Sequence, residues 1–438
     1  MSAPENVVQV PVVIIGGGPA GLTAAAALGP VVPGGVLVLE REDETGGIPR
    51  HSDHPGYGLR DLRRFVSGPA YARRLTALAR EAGATLETGA TVTGWAGERR
   101  LELTSPRGRR VIEAGAVVLA TGARERPRTA RLIPGDRPEG VYTTGQLQNL
   151  VHLHHASVGS RAVVIGAELV SWSAVMTLRE AGCSVAALVT RHPRSEAYAA
   201  FSLPGRTVLR APVVTGSRVV RIDGRERVRS VEVEELATGR RRTIECDTVI
   251  TTGDWIPDHE LAVLRGLGMD RATRGPVVDA TLATTAPGVF AIGNLVHPVD
   301  TADGAALDGR HVAAAVTSWL GGQGSDGGQS PAPLDLQVEA PLRWVTPQRV
   351  PADGGSPRGH LLLWVDEYQR LPVVRALQGG VEVGRVRTPW PAAPGRVYRV
   401  PERVLHGADP SRGPVTLGLD PGGPALPGLR RGWGPGRS

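Results

Sequence analysis

Gly16-Gly17-Gly18-Pro19-Ala20-Gly21 stands between an apolar, β-branched run, Val7–Ile15, and an alanine-rich stretch, Leu22–Leu28. A run of that kind predicts a strand buried on both faces of a parallel sheet, and the alanine-rich stretch predicts a helix. In G-x-G-x-x-G, Gly16 permits the tight turn, Gly18 lets a pyrophosphate approach the backbone, and Gly21 lets helix and strand pack closely. Phosphates then rest on the helix N-terminus, where unpaired N–H groups and the dipole favour an anion. Val36–Leu39 predicts the next strand and ends at Glu40, 24 residues after Gly16, placed to accept hydrogen bonds from ribose hydroxyls. The chain therefore opens on a dinucleotide-binding unit of an α/β fold.

Composition removes several chemistries. All 50 basic residues are arginines, so there is no Schiff-base lysine, P-loop lysine or kinase-type Lys–Glu pair. A net charge of +7 with 4% aromatic residues, and no basic arm, argues against nucleic-acid binding. The two cysteines, Cys183 and Cys246, form no Cys-x-x-Cys and no zinc or iron–sulfur spacing, so no metal is expected and the chain reads as a reduced, cytoplasmic protein. The uncharged stretch between Glu5 and Glu40 is broken by Pro11, Pro19, Pro30 and Pro33 and by the glycine turn. It reads as strand, turn and helix rather than a membrane span, and no secretion signal is visible.

Asp61–Phe65 and Ala70–Ala82 read as helices, and Thr91–Trp95, Leu101–Thr104 and Val111–Leu119 as strands. The strand–glycine–helix–strand unit returns at Ala162–Ile165, Leu169–Ala181 and Val185–Val189. Arg218–Leu236 and Thr243–Thr252 alternate like antiparallel strands, and Gly288–Ile292 is a short strand before a helix from about Gly304 to Trp319. The expected architecture is two Rossmann-like lobes, the first split around the second, plus a C-terminal β-rich appendage. The boundaries read as 8–125 and 281–320 for the first lobe, 126–280 for the second, 321–335 for a linker, 336–418 for the appendage and 419–438 for a frayed tail. Within the appendage, Gly379-Gly380 between apolar runs predicts a hairpin.

Two later segments resemble the paired signatures of flavoproteins with two dinucleotide-binding lobes: Ala120-Thr121-Gly122, and Gly288-Val289-Phe290-Ala291-Ile292-Gly293-Asn294. In that group the second segment brings a polar residue, usually aspartate, to the ribityl chain of FAD. Asn294 stands there in this chain and keeps a donor and an acceptor. Glu40-Arg41, Gly46-Gly47-Ile48-Pro49-Arg50-His51, His54, Gly58, Gly68-Pro69, ATGARERP (120–127), TGQLQNLV (144–151), VIGAELVSWS (164–173) and GNLVHPVDTAD (293–303) narrow the likeness. They resemble the pyridine nucleotide-disulfide-oxidoreductase-like flavoproteins that include the A subunit of opine oxidases, the B subunit of hydrogen cyanide synthase and the alpha subunit of dye-linked proline dehydrogenases. That resemblance implies FAD between the lobes and oxidation of a carbon–nitrogen bond in a small amino acid, amine or opine. It also implies, in many members, partnership with a second flavin dehydrogenase subunit. The cofactor set read this way is Gly16, Gly18, Pro19, Ala20, Gly21, Glu40, Arg41, Gly47, Val92, Thr121, Gly122, Gly293, Asn294 and Asp303. Without a redox cysteine pair a thioredoxin-reductase function is not expected, and the cysteine-free C-terminal end implies no iron–sulfur cluster.

In the repeat, Gly166 matches Gly16, but Glu168 and Ser171 stand where the next two glycines would be. Glu168 would repel a pyrophosphate, and Thr190 replaces the ribose-binding acid. Arg191, His192 and Arg194 nevertheless leave NADP or another adenine nucleotide open as a ligand. His51 and His54 follow the Gly46-Gly47 turn, which in the resembling flavoproteins passes beside the ring system. Either is a candidate base, a holder of a substrate carboxylate, or a loop histidine satisfied by backbone carbonyls. Arg50 is a candidate carboxylate clamp or a surface arginine. A helix starting near Asp303 would aim its N–H groups at the flavin N1/O2 edge, with Asp303 as its N-cap. His152, His154 and His155 lack an i, i+4 pair and read as a solvated or interface face. Besides amine oxidation, two readings stay open: an NADPH-dependent flavin reductase using the second lobe, and a non-catalytic FAD-carrying relay subunit.

Overall fold

The computed structural model describes residues 7–198, 207–322, 333–351 and 358–420. The strand Val7–Ile15 lies at the centre of the first sheet, parallel to Val36–Leu39 on one side and to Gly108–Leu119 on the other. Its inner half, Val12, Val13 and Ile14, is fully buried, as the uninterrupted apolar run demands. Thr85–Glu87 extends the sheet beyond Val36–Leu39. The long strand Gly108–Leu119 turns antiparallel to Arg100–Ser105, which pairs with Thr91–Trp95.

The chain then leaves this sheet and builds a second, all-parallel one. Its order is Val141–Thr143, Thr248–Thr251, Arg161–Ile165, Ser184–Val189 and Val213–Val214. A three-stranded antiparallel meander, Ser217–Gly224, Val228–Glu235 and Arg241–Glu245, packs on it. Val289–Ala291 returns to pair in parallel with the end of Gly108–Leu119, so the first sheet is completed only after the second is built. The helix Ala302–Leu320 follows and packs across Pro19–Leu28. Gly309 makes that crossing possible, since a Cβ there would fall 2.3 Å from the Ala20 carbonyl oxygen.

The appendage folds as two sheets with a shared core of Leu334, Leu361, Leu363, Val374, Val400, Val415 and Leu417. Gly379 and Gly380 (φ 56° and 83°) form the two-residue turn joining Val373–Gln378 to Val381–Arg387. Most of the predicted linker, 323–332, and of the predicted tail, 421–438, lies outside the described residues.

Two expectations need correction. Asp61–Phe65 is a turn, because Arg63 adopts φ 53° and both Leu62 and Arg64 donate their N–H to the Gly58 carbonyl. Thr248–Thr251 is a fully buried parallel strand, so its alternation reflected neither an exposed face nor a hairpin. Among the described residues no helix is long and apolar enough to cross a membrane.

Candidate functional site

The glycine turn is shaped from three sides. Gly16 has φ 110°, and a Cβ there would lie 2.4 Å from the Ala120 carbonyl oxygen. At Gly21 a Cβ would lie 1.9 Å from the Gly16 oxygen, so these two glycines serve packing. Gly18 differs: its Cβ would meet only the Gly47 Cα, at 4.0 Å. The space in front of it is open, and behind it the helix starts at Pro19 and Ala20 with no side-chain cap. The N–H groups of that first turn have no intrahelical acceptor, so the cradle suits a pyrophosphate.

Glu40 is buried, and its carboxylate accepts from the N–H of Gly17 at 2.8 Å and of Glu42 at 2.9 Å. Glu40 therefore ties the glycine turn to the end of the second strand, and its remaining lone pairs are available for ribose hydroxyls. Val92 lies in the strand after Ala90, whose N–H donates to the Glu40 carbonyl at 2.9 Å. Gly46 donates to the Gly17 carbonyl at 2.8 Å, which lays the Gly46-Gly47 turn directly on the glycine turn. Arg41 is exposed, 3.7 Å from Asp258. Arg50, its side chain 17% exposed, lies 3.7 Å from Glu42 and 3.9 Å from Glu44, and its Nε is buried with no hydrogen-bond partner.

The second segment converges on the same cradle, with the Gly293 Cβ position 2.9 Å from that of Ala20. Asn294 donates from Nδ2 to the Asp300 carbonyl at 3.1 Å, while its Oδ1 is buried with no hydrogen-bond partner. An orphaned acceptor beside the cradle fits a ribityl hydroxyl. Thr301, not Asp303, caps the helix, accepting from the Gly304 N–H at 3.3 Å. Asp303 is buried and accepts instead from the N–H groups of Gly58 and Arg60, both at 3.0 Å. Thr121 donates to the Asp258 carbonyl at 2.7 Å and Gly122 accepts from the Asp258 N–H, where Ala123–Glu125 pairs with Trp255–Pro257 as the chain passes between the lobes.

No motif points to what lies behind this segment. Asp308, fully buried, accepts from the Gly293 N–H at 2.9 Å and from His297 Nε2 at 2.6 Å, and it forms an ion pair with Arg358 of the appendage. Burial holds His297 near 3, so it is neutral. Arg399, also from the appendage, contacts both oxygens of Asp300 at 3.0 and 3.1 Å. These pairs join residues far apart in sequence, and no local spacing announces them.

His51 and His54 have different surroundings. His51 is buried, its Nδ1 has no partner, and burial together with the Arg50 charge lowers its pKa to about 4. Its carbonyl accepts from His152 Nδ1 at 2.5 Å. His152, whose Nε2 lies 3.1 Å from Glu180, is thus packed between the lobes rather than on a solvated face. His54 donates from Nδ1 to the Pro55 carbonyl at 2.9 Å, which leaves Nε2 as an acceptor for the hydroxyls of Ser173 (2.7 Å) and Ser52 (3.0 Å). Gln148 donates to both hydroxyls, and Tyr57 donates to Ser52 at 2.7 Å. His54 is therefore committed on both nitrogens to a network that fastens the 51–57 segment to the second lobe.

In the second lobe Gly166 keeps its turn at φ 131°, but Glu168 fills the next position. Thr190 donates to Glu196 at 2.9 Å, and Arg191 is exposed. Burial, then the neighbouring Glu196 charge, raises Glu168 to about 8, and burial raises Glu196 to about 7. A carboxyl whose folded pKa is raised holds protons that the unfolded chain has lost, so stability falls as pH rises from about 4.5 through the folded value. His51, His192 and His297, lowered to between about 3 and 4, act in the opposite sense only up to about pH 6.5. Thermal midpoints measured from pH 7 to 8.5 should therefore decline by a few degrees, each group contributing at most about 1.4 kcal/mol per pH unit. Glu168→Gln should flatten most of that decline, and an unchanged slope would refute this account of the pair.

Over residues 10–313 the sequence matches the family described as pyridine nucleotide-disulphide oxidoreductase. The A subunit of opine oxidase from Rhizobium meliloti is 27% identical over 345 residues, covering 71% of this chain and 63% of that protein. The alpha subunit of sarcosine oxidase from Corynebacterium sp. (strain P-1) is 30% identical over 339 residues, covering 71% of this chain and 33% of that one. The matched region thus spans less than two thirds of the length of either relative. Among solved structures, Lactococcus lactis thioredoxin reductase superposes with a TM-score of 0.60 at 20% identity, over 72% of this chain and 99% of that one. L-proline dehydrogenase from P. horikoshii superposes at 0.55 and 19% identity, over 73% and 57%. At these identities the likeness is one of fold.

Proposed function

The chain belongs to the pyridine nucleotide-disulphide oxidoreductase family, FAD-binding oxidoreductases, and on that premise we propose that it oxidises the carbon–nitrogen bond of a small amino acid, amine or opine-like substrate. The observation that carries the reading is the pairing of a complete dinucleotide cradle with a second lobe whose pyrophosphate position holds Glu168. The two cysteines, Cys183 and Cys246, lie buried in the second lobe with thiols raised to about 11 and about 12, which is the reverse of a redox pair. Electrons would come from the organic substrate and leave to oxygen, to a quinone or to a partner flavin subunit.

Bound FAD supplies a two-electron acceptor for the hydride on the carbon next to nitrogen. The open face of Gly18 and the unpaired N–H groups of the first helical turn, with Gly16 and Gly21 shaping that turn, would hold its pyrophosphate, Glu40 its adenosine ribose, and Asn294 its ribityl chain. His51, neutral above about pH 4, would accept a hydrogen bond from the substrate N–H at Nδ1, which has no other partner, and orient it, leaving the released proton to solvent. His54 positions the segment that carries His51.

The test is anaerobic bleaching of the flavin absorbance near about 450 nm with a panel of amines, amino acids and opines, and separately with NADH and NADPH. Bleaching by an amine or opine supports the reading, and bleaching by NADPH replaces it with the flavin reductase. A bound flavin that no substrate bleaches until a partner is added replaces it with the relay subunit. For the responsive substrate, His51→Ala should slow bleaching about 100-fold or more at pH 7 without loss of FAD. An unchanged rate would remove His51 from substrate positioning.

A further inference from the structure

In a nucleotide-binding lobe the start of the helix after the glycine turn receives the pyrophosphate. In the second lobe that place is crowded by the chain itself. The Glu168 carboxyl accepts the Ser171 N–H, and the Ser171 hydroxyl accepts the Glu168 N–H at 3.2 Å, so the helix Leu169–Glu180 carries its own cap. Residues 195–197 fold back over the turn: the Ser195 hydroxyl and the N–H groups of Glu196 and Ala197 lie 2.7, 3.2 and 3.3 Å from the Ala167 carbonyl. Gly253 closes another side, where a Cβ would fall 1.7 Å from Glu168 Oε1.

A further side is covered from the appendage. Gly395 has φ 80°, and its Cβ position lies 2.8 Å from Glu168 Cβ and 3.2 Å from Glu196 Cβ. Only glycine meets both the backbone and the space requirement there. Two reciprocal contacts flank the joint: Arg194 of the second lobe stacks over Tyr368 of the appendage at 4.4 Å, and Arg396 of the appendage over Tyr198 of the second lobe at 4.1 Å.

We propose that the C-terminal appendage is a plug in cis: its segment at Gly395 seals the second lobe's dinucleotide site, and Glu168, Glu196 and Gly395 are the residues that exclude NADH and NADPH. The plug deepens the proposed function and rests on it, since a sealed second lobe leaves the organic substrate as the electron donor. Its test uses no amine substrate, so the two fail separately. A chain that oxidises an amine and also binds NADPH loses the plug alone, and a chain that does neither keeps the plug and loses the amine.

The full-length, FAD-loaded protein tests it by hydrogen–deuterium exchange and calorimetric titration. In the unaltered chain the amides of residues 168–171 and 195–198 should exchange slowly, and neither NADH nor NADPH should bind at up to about 1 mM, a standard free energy near −4.1 kcal/mol. Gly395→Val should raise uptake in both segments several-fold. Gly379→Val, which imposes similar backbone strain in a turn with open space around it, should leave them unchanged. Should Gly395→Val fail to fold, the pair Tyr368→Ala and Arg396→Ala removes the flanking contacts without backbone strain and should raise the same uptake. Binding of either nucleotide below 1 mM by the unaltered chain overturns the proposal. So does unchanged uptake at residues 168–171 in the variant that is folded.

Discussion

A Gly18→Val chain is expected to fold like its parent and to be purified with less than a tenth of its flavin. The three glycines of the turn differ in what surrounds them. At Gly21 an added Cβ would lie 1.9 Å from the Gly16 carbonyl oxygen, and at Gly16 it would lie 2.4 Å from that of Ala120, so substitution there breaks the helix–strand contact itself. At Gly18 the backbone is extended, open to any residue, and the nearest atom to a new Cβ is 4.0 Å away. The valine side chain would project into the space that the pyrophosphate needs. A tenfold loss of occupancy corresponds to about 1.4 kcal/mol, a small demand for a steric block at phosphate contact distance. Flavin absorbance relative to protein, alongside circular dichroism and the thermal midpoint of the flavin-free protein, checks it. Full flavin content in a folded Gly18→Val chain would show that the dinucleotide does not cross this turn.

The parts of the fold that were legible were those in which one segment carries its own reason. The glycine turn and Val36–Leu39 read as turn and strand because a φ of 110° needs glycine and burial on two faces leaves an apolar run; in Val7–Ile15 only the inner half, Val12–Ile15, is buried that way, while Val8 and Gln9 are exposed. Glu168 was legible as an obstruction because its side chain stands where the motif's second glycine would let a phosphate reach the backbone. What closes over it was not. Glu196 reaches Thr190 only after residues 195–197 fold back onto Ala167, and Gly395 arrives from more than 200 positions away. The same holds for His54. Its position after the Gly46-Gly47 turn suggested a base near the ring, but the partners that occupy its Nε2 include Ser173, on a helix of the other lobe. Asp61–Phe65 misled in the opposite direction: its composition suits a helix, but Tyr71 donates to the buried Asp61 side chain at 2.7 Å and Arg63 turns the chain away. Tertiary contacts overrode local propensity there.

Asp308→Ala should be the most destabilising single change at the joint between the first lobe and the appendage. The residue is fully buried and takes three interactions at once: the Gly293 N–H, His297 Nε2 and the Arg358 guanidinium. Alanine would leave the Arg358 guanidinium buried with Asp300 as its remaining counter-charge and two donors without acceptors. Breaking a buried pair from one side costs about 3–5 kcal/mol. At roughly 2–4 °C per kcal/mol for domains of this size, the thermal midpoint should fall by on the order of 10 °C. Asp308→Asn keeps an acceptor for Gly293 and should fall less, yet still lose the counter-charge. The decisive comparison is the double variant Asp308→Ala with Arg358→Met. If the cost lies in the stranded guanidinium, replacing it with an apolar side chain should recover more than half of the lost midpoint, since buried ion pairs exchange for apolar packing at little cost. A double variant no more stable than Asp308→Ala would instead place the cost at Gly293, whose N–H anchors the turn leading into Asn294, and flavin content would then fall in step with stability.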